Sequence, residues 1–555
     1  MNLGLISGCV TYEIVRKLRM NYRRIPIGIQ DFKKLRENGF LYVDKTAYIY
    51  ELVKLGAPVF LSRPRRFGKS LFISTLKYYF EGRRELFHGL AIEELAKEDP
   101  DAFEAHPVFH FDFNGENYSD PQALEKNLSY QLHILEKLYG RDSEAQTLAT
   151  RFQALIRAAY EKIGKKVVIL IDEYDKPLLE VMQNKELLDH NRMVFKGFFS
   201  TLKSYDQYIQ FVFITGVTRF SKVSLFSDLN QLSDISLDRE YAEICGITEE
   251  ELTCYFIPEI ESLAEEEEMT ASDCLTALKK KYDGYHFHPK GKGLYNPFSL
   301  LNTLQKKAFG SYWFSSGTPR SLVERLKTGN FDLKLLSDGT LTVKESVLAN
   351  YLYDDPNPLP LLYQTGYLTI SGYDREFGDY ILSYPNEEVK YAFLESLLPV
   401  YLNRMETSDP LDIRYFVADI RKGNLDSLRD RFIAIFAKLP YDQLRQRDND
   451  PDGYLNDAPL EINFQNVIYL VFMLLGQYVQ AETHTAKGRA DVIVQTKEFI
   501  YIFEFKRDGT VEEALRQIEE KGYALPFAAD SRTLYKIGVS FDSRERNLID
   551  WKAMQ

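Results

Sequence analysis

The chain has 555 residues, a formal net charge of −12, 45% hydrophobic residues and 27% charged residues. That length exceeds what one hydrophobic core organises, so about two to four domains are expected. The composition excludes a disordered chain, and the acidic balance excludes a wholly basic nucleic-acid coat while leaving room for a local basic groove.

At the start, Leu5-Ile6-Ser7-Gly8-Cys9 loosely matches a lipoprotein cleavage site. No basic segment precedes it and its apolar run is too short, so Met20 is expected as the start of the chain instead of Met1. The four cysteines, Cys9, Cys245, Cys254 and Cys274, form no CxxC pair and no zinc-like spacing with histidine. At this size a reducing cytoplasmic setting is expected. No apolar run of about 18 residues occurs, so no membrane span is expected.

From Ile25 to about residue 245, short apolar runs alternate with helical periodicity. Pro58-Val59-Phe60-Leu61 reads as a buried strand, and Ser70 to Phe80 as the helix after it. Val108–Asp112, Val167–Ile171 and Ile209–Thr215 read as three more strands. Strands separated by helices imply a parallel sheet covered on both faces. Glu265-Glu266-Glu267-Glu268 reads as a solvated face. The aromatic, turn-rich strings Tyr282–Phe287 and Tyr295–Ser299 are expected to close the first domain against a helical extension. Leu361–Ile370 reads as a helix ending at Gly366 and then a strand, which fits a winged-helix-like unit. Such a unit either binds DNA or serves as packing. Asp448–Gly453 is a polar loop before the last domain. The expected domains are 20–300, 301–400 and 401–555.

Arg63-Pro64-Arg65-Arg66-Phe67-Gly68-Lys69-Ser70 carries the parts of a phosphate loop. Such a loop needs curled backbone N–H groups, a lysine for the outer phosphates and a hydroxyl for Mg²⁺. Lys69 and Ser70 supply the last two, Gly68 permits close backbone approach, and the following helix adds its N-terminal dipole. The pattern G-x-x-x-x-G-K-[ST] is incomplete, because Arg63 stands at its first glycine. Farther on, Ile169-Leu170-Ile171-Asp172-Glu173 is an apolar strand ending in two acids. Asp172 is the candidate Mg²⁺ ligand and Glu173 the residue that deprotonates an attacking water. Thr215-Gly216-Val217-Thr218-Arg219 ends a later strand. That string either presents a polar residue to the γ-phosphate, as a sensor does, or its Arg219 is a structural ion-pair partner.

These strings resemble an AAA-ATPase-like family of bacterial multidomain proteins. Tyr42-Val43-Asp44-Lys45-Thr46, Asp172-Glu173-Tyr174-Asp175, Thr215-Gly216-Val217 and Tyr295-Asn296-Pro297-Phe298-Ser299 extend the likeness over roughly residues 25 to 300. An arginine at the first glycine position is itself typical of that family. The resemblance implies ATP and Mg²⁺ as cofactors. Arg65, Arg66, Phe67, Gly68, Lys69, Ser70 and Asp172 would form the nucleotide site. Arg63, Arg65 and Arg66 either contact phosphates or face solvent.

A second constellation closes the chain. Asp491 begins the apolar strand Asp491-Val492-Ile493-Val494, and the next strand, Phe499 to Lys506, carries Glu504 and Lys506. Residues i and i+2 share one strand face, so both would point toward Asp491. Phosphodiester cleavage needs a neutralised phosphate and an activated water, which carboxylate-held Mg²⁺ supplies. Glu504 and Asp491 would hold metal, and Lys506 would stabilise developing negative charge. Glu461, on a helix expected over Glu461 to Leu475, would add a carboxylate, and Gln517 would orient a water or phosphate. With Gly488-Arg489-Ala490 ahead of Asp491, the set resembles the PD-(D/E)xK nuclease superfamily over roughly 455 to 540, with Ala490 where the simplest pattern has proline. It implies an α/β restriction-endonuclease-like fold and DNA as partner.

Two readings follow. One is an ATP-binding and ATP-hydrolysing protein, able to form homo-oligomers, coupled to a Mg²⁺-dependent DNA nuclease. The other is a nucleotide-dependent signalling or defence switch whose C-terminal domain is a triggered effector or binds nucleic acid without cutting.

Overall fold

The computed structural model describes residues 24–219, 232–313, 322, 326, 331–336, 341–349, 357–401, 413–436, 458–476, 479–483, 491–542 and 547–555. Contacts divide the chain into two compact units. One comprises Met1–Ser316 with Thr342–Glu388, and the other Gly317–Leu341 with Val389–Gln555. The stretch 301–400 therefore contributes to both.

The first unit is built on a five-stranded sheet. Its strands are β1 (Val59–Ser62), β2 (Val108–Asp112), β3 (Val167–Asp172), β4 (Ile209–Gly216) and β5 (Ser233–Asp234). They lie in the order β2-β3-β4-β1-β5 and every pairing is parallel. All six residues of β3 are buried, as a strand covered on both faces requires. The helices α1 (Lys69–Phe80), α2 (Ala123–Tyr139), α3 (Leu148–Ile163) and α4 (Lys185–Ser204) alternate with the strands. Each strand expected over this region is present.

The register decides where the chemistry falls. Leu61 pairs with Thr215, and Ile171 pairs with Ile214. The ends of β1, β3 and β4 therefore coincide, which sets the loop before α1, the acids after β3 and the turn after β4 at one sheet edge. Open parallel sheets bind ligands at that edge.

The aromatic strings after residue 280 also belong here. β6 (Ile247–Thr248) pairs antiparallel with β7 (Leu294–Tyr295), and Asn296 then caps α5 (Pro297–Lys306) by accepting from the Phe298 and Ser299 amides. Residues 342–388 form a small antiparallel sheet, in the order β8 (Thr342–Lys344), β10 (Asp379–Ser383), β9 (Thr369–Asp374), with α6 (Leu359–Thr365) ahead of β9. The α6 helix ends at Gly366 with φ +91°, as the expected helix-to-strand step requires.

In the second unit, α7 (Ala458–Leu475) precedes a five-stranded sheet of β11 (Gln480–Thr483), β12 (Val492–Gln495), β13 (Phe499–Arg507), β14 (Thr533–Asp542) and β15 (Asn547–Met554). Only β13 and β14 pair in parallel, with α8 (Val511–Glu520) crossing between them. Asn466 on α7 anchors the segment 331–336 by bonding the Leu333 amide and the Phe331 carbonyl. The polar loop Asp448–Gly453 lies outside the described residues, as do Cys9, Met20 and the other residues before 24. No described helix is long and apolar enough to cross a membrane.

Gly284 has φ +105°, and a Cβ there would stand 2.1 Å from the Pro385 carbonyl oxygen. Gly284→Ala is expected to cost roughly 2–4 kcal/mol, read as a lower midpoint for the unfolding step of the first unit. Gly197→Ala, inside α4 with nothing within 4 Å of the added carbon, is the control and should be neutral or slightly stabilising.

Candidate functional site

Between β1 and α1 the chain curls tightly. Arg66 has φ +67° and Gly68 has φ +97°. A left-handed conformation at a non-glycine residue costs on the order of 1 kcal/mol and persists only where neighbours hold it. The holding groups are aromatic. Phe67 is 1% exposed and packs edge-on against Tyr285 at 4.8 Å and Phe287 at 5.4 Å, while the Arg66 guanidinium lies 4.7 Å above the Phe298 ring. The Phe67 ring is thus core, and its backbone is what the loop can offer a ligand. The aromatic strings expected to close the domain do so by fixing this loop.

No side chain caps α1, whose first residue is Lys69, so its leading N–H groups are available to an anion. Lys69 is 5% exposed, and its Nζ donates to the Arg63 and Pro64 carbonyls at 2.8 and 3.0 Å. Arg65 to Ser70 form one wall of a cavity of about 520 Å³, and Glu173 and Lys176 also line it. Ile27, Ile29, Phe256 and Leu301 give it an apolar part. The size and the mixture of apolar wall and convergent polar groups suit a small-molecule site, and a nucleotide with its phosphates on the loop fits these residues.

Across from Lys69 stand the acids. Asp172 is 3% exposed and accepts from the Thr215 hydroxyl at 2.7 Å. Glu173 has φ +50°, so the turn is strained at the residue singled out as the base. Burial raises its pKa and the Lys69 charge opposes that rise. Asp175 carries a role the sequence reading did not assign. It is 1% exposed, and its Oδ2 accepts from the Val217 amide at 3.0 Å, the Thr218 amide at 2.6 Å and the Thr218 hydroxyl at 2.7 Å. The Tyr174 hydroxyl adds a bond to the Thr218 carbonyl at 3.0 Å. These contacts clamp the turn after β4 to the acidic turn. No spacing rule marks such a residue, although its place in the string Asp172–Asp175 was visible. Arg219 forms an ion pair with Asp234, and its amide donates to Gln364 at 2.9 Å. The geometry of Arg219 is that of a structural ion-pair partner.

The second constellation is also brought together. Asp491 Oδ2 accepts from the Phe505 amide at 2.9 Å, which locks Asp491 opposite β13. Lys506 Nζ bonds Glu504 Oε1 at 3.1 Å and Gln517 Oε1 at 2.6 Å. The Tyr523 hydroxyl, 3.4 Å from Gln517 Nε2, supports that amide from behind. Glu504 is 2% exposed, and its Oε2 has no hydrogen-bond partner. Burial, and next the Asp491 charge, push its pKa up to about 6. Burial raises Asp491 as well. An orphaned buried carboxylate oxygen beside a second carboxylate fits a divalent cation. Glu461 lies on α7, but its side chain is outside the described residues, as are Gly488, Arg489 and Ala490. Among the described residues, no group of three or more His, Cys, Asp and Glu side chains is arranged to hold a metal.

Comparison with known proteins agrees with this geometry. Residues 26–226 match the family described as predicted AAA-ATPase, and residues 460–551 match the PD-(D/E)XK nuclease superfamily. An uncharacterized protein in the vnfD 5′ region of Azotobacter chroococcum mcd 1 is 36% identical over 539 residues, covering 96% of this chain and 98% of that protein. A solved structure of the Aeropyrum pernix ORC2 protein in ADPNP-ADP complexes is 11% identical, covers 61% of this chain and 88% of that one, and has a TM-score of 0.23, too low to support any argument. The chain belongs to the family of its Azotobacter relative, and it is an AAA-ATPase-like protein with a C-terminal PD-(D/E)XK nuclease superfamily domain.

Glu504 sets a pH dependence. Its folded pKa is raised from 4.5 to about 6, so its stabilising contribution is fully present below the ordinary value and lost as pH rises to about 6. Glu504→Gln should remove that dependence. Denaturant midpoints compared at pH 5 and pH 8 should show the wild-type chain losing about 1–2 kcal/mol more than the variant across this window.

Proposed function

We propose that this chain binds and hydrolyses ATP and that its C-terminal domain is a Mg²⁺-dependent DNA nuclease whose action depends on nucleotide state. The observation that carries the first half is the convergence of Lys69 and Glu173 on one cavity beside a helix N-terminus. Lys69 and Ser70 form the Walker A end, with the backbone from Arg65 to Gly68 around the phosphates. Asp172 forms the Walker B end, and with Ser70 it would hold a Mg²⁺ ion. Glu173 is half-buried and burial raises its pKa, which suits a base that takes a proton from water.

For the second half, Asp491 and Glu504, joined by Glu461, are the metal-holding carboxylates. A bound Mg²⁺ would supply charge neutralisation at the scissile phosphate and a more acidic water. Lys506, held by Gln517 and Glu504, is aimed to stabilise charge on that phosphate. DNA is the proposed substrate, the cytoplasm the proposed setting and a homo-oligomer the proposed assembly. Residues 20–300 are the proposed nucleotide module and 401–555 the proposed nuclease module, with 301–400 shared between the two compact units.

The test is a divalent-dependent cleavage assay on supercoiled, linear and single-stranded DNA, with and without ATP. Asp491→Ala and Lys506→Ala should reduce cutting by a factor of about 10² or more, leaving ATP binding intact. Lys69→Ala should weaken ATP binding and alter cutting only where ATP controls it. Wild-type cutting that survives Asp491→Ala would sink the nuclease assignment. No cutting under any condition would favour the triggered-effector reading.

A further inference from the structure

Arg63 stands where the phosphate-loop pattern has its first glycine, and the structure gives it neither of the expected roles. It is 1% exposed, so it does not face solvent, and it is absent from the lining of the phosphate cavity. Its side chain runs behind the loop instead. Nη1 donates to the Ser62 carbonyl at 2.8 Å and the Ser236 carbonyl at 2.9 Å, and Nη2 donates to the Tyr241 carbonyl at 2.9 Å. The guanidinium centre lies 4.0 Å from the Phe287 ring, and Nε has no partner. Each of these partners is neutral.

Among the described residues, no carboxylate forms an ion pair with Arg63. Asp234, the acid whose charge acts on it from β5, is itself paired with Arg219. Burial disfavours the charged form, but a guanidinium does not give up its proton inside a protein. The chain therefore keeps a buried positive charge bonded only to carbonyls and an aromatic face, an arrangement that costs free energy unless something compensates it. The same residue's carbonyl accepts from Lys69 Nζ at 2.8 Å. The loop's ammonium is thus anchored on the backbone of the same residue that carries the buried guanidinium.

We propose that Arg63 is a fixed counter-charge built into the back of the phosphate loop, which raises affinity in proportion to the negative charge of the phosphate chain it never touches. It makes the site selective for polyphosphates over monophosphates. A charge in a low-dielectric interior is weakly screened and acts across the loop. The proposal rests on the nucleotide reading of the cavity and adds to it the origin of phosphate-number selectivity.

Calorimetric dissociation constants for AMP, ADP and ATP, measured on the full chain at fixed ionic strength without divalent cations, test it. Three variants are needed. Arg63→Gln removes the charge but keeps an amide donor. Arg63→Lys keeps the charge. Ser236→Asp leaves Arg63 in place and puts a carboxylate on the residue whose backbone carbonyl accepts from it. The wild-type chain should tighten from AMP to ATP. Arg63→Gln should lose about threefold more affinity with each added phosphate, Ser236→Asp should flatten the series likewise, and Arg63→Lys should keep it. Equal fold losses for all three nucleotides in both charge-cancelling variants would overturn the proposal and leave Arg63 a packing residue. If Arg63→Gln fails to fold, judged by circular dichroism, Ser236→Asp decides alone. A wild-type chain that binds none of the three would overturn the nucleotide reading itself, a result distinct from an unchanged series in the variants.

Discussion

The central constraint is the parallel pairing of β4 between β1 and β3. A buried strand must satisfy every backbone N–H and C=O through its neighbours, and parallel pairing does so while leaving all three strands pointing the same way. Their ends then meet at one edge. Loop, acids and the Thr215 hydroxyl are adjacent because of that register, although Asp172 and Thr215 are 43 residues apart in the chain and the loop lies far before both. The Thr215–Asp172 hydrogen bond and the Asp175 clamp exist only because the sheet has already aligned their strands.

Strain at this edge is held from outside it. Arg66 and Glu173 both adopt left-handed backbone. The first is fixed by the aromatic packing of Phe67 on Tyr285 and Phe287 and the second by the hydrogen bonds of Tyr174 and Asp175. Residues remote in sequence thus keep the phosphate loop curled and the acidic turn aimed. The winged-helix-like stretch joins in, since Gly366 lies so close to Pro64 that an added Cβ would approach its ring to 2.7 Å.

The C-terminal site follows a different logic. Its residues come from two adjacent strands and one helix of an otherwise mostly antiparallel sheet. The amide of Phe505 fixes Asp491, and a buried Glu504 shares Lys506 with Gln517. The lysine is neutralised on one side only, while Glu504 Oε2 stays unpartnered. A buried acid with one satisfied oxygen and one free oxygen is poorly arranged for stability alone, and a cation would correct this.

The sequence by itself determined what is written in local patterns. The apolar runs of β1 to β4, the glycine-lysine-serine ahead of a helix, the acids ending β3 and the two-residue spacing of Glu504 and Lys506 depend only on periodicity and backbone preference. It also placed Asp491 opposite Glu504, because a hairpin pairs neighbours in sequence. Tertiary structure alone decided the rest. The strand order, the burial that raises Glu504, the clamp by Asp175, the ion pair that takes Arg219 and the backward turn of Arg63 all depend on residues far away in the chain. Burial and partner choice are properties of the packed whole, and no window of sequence contains them.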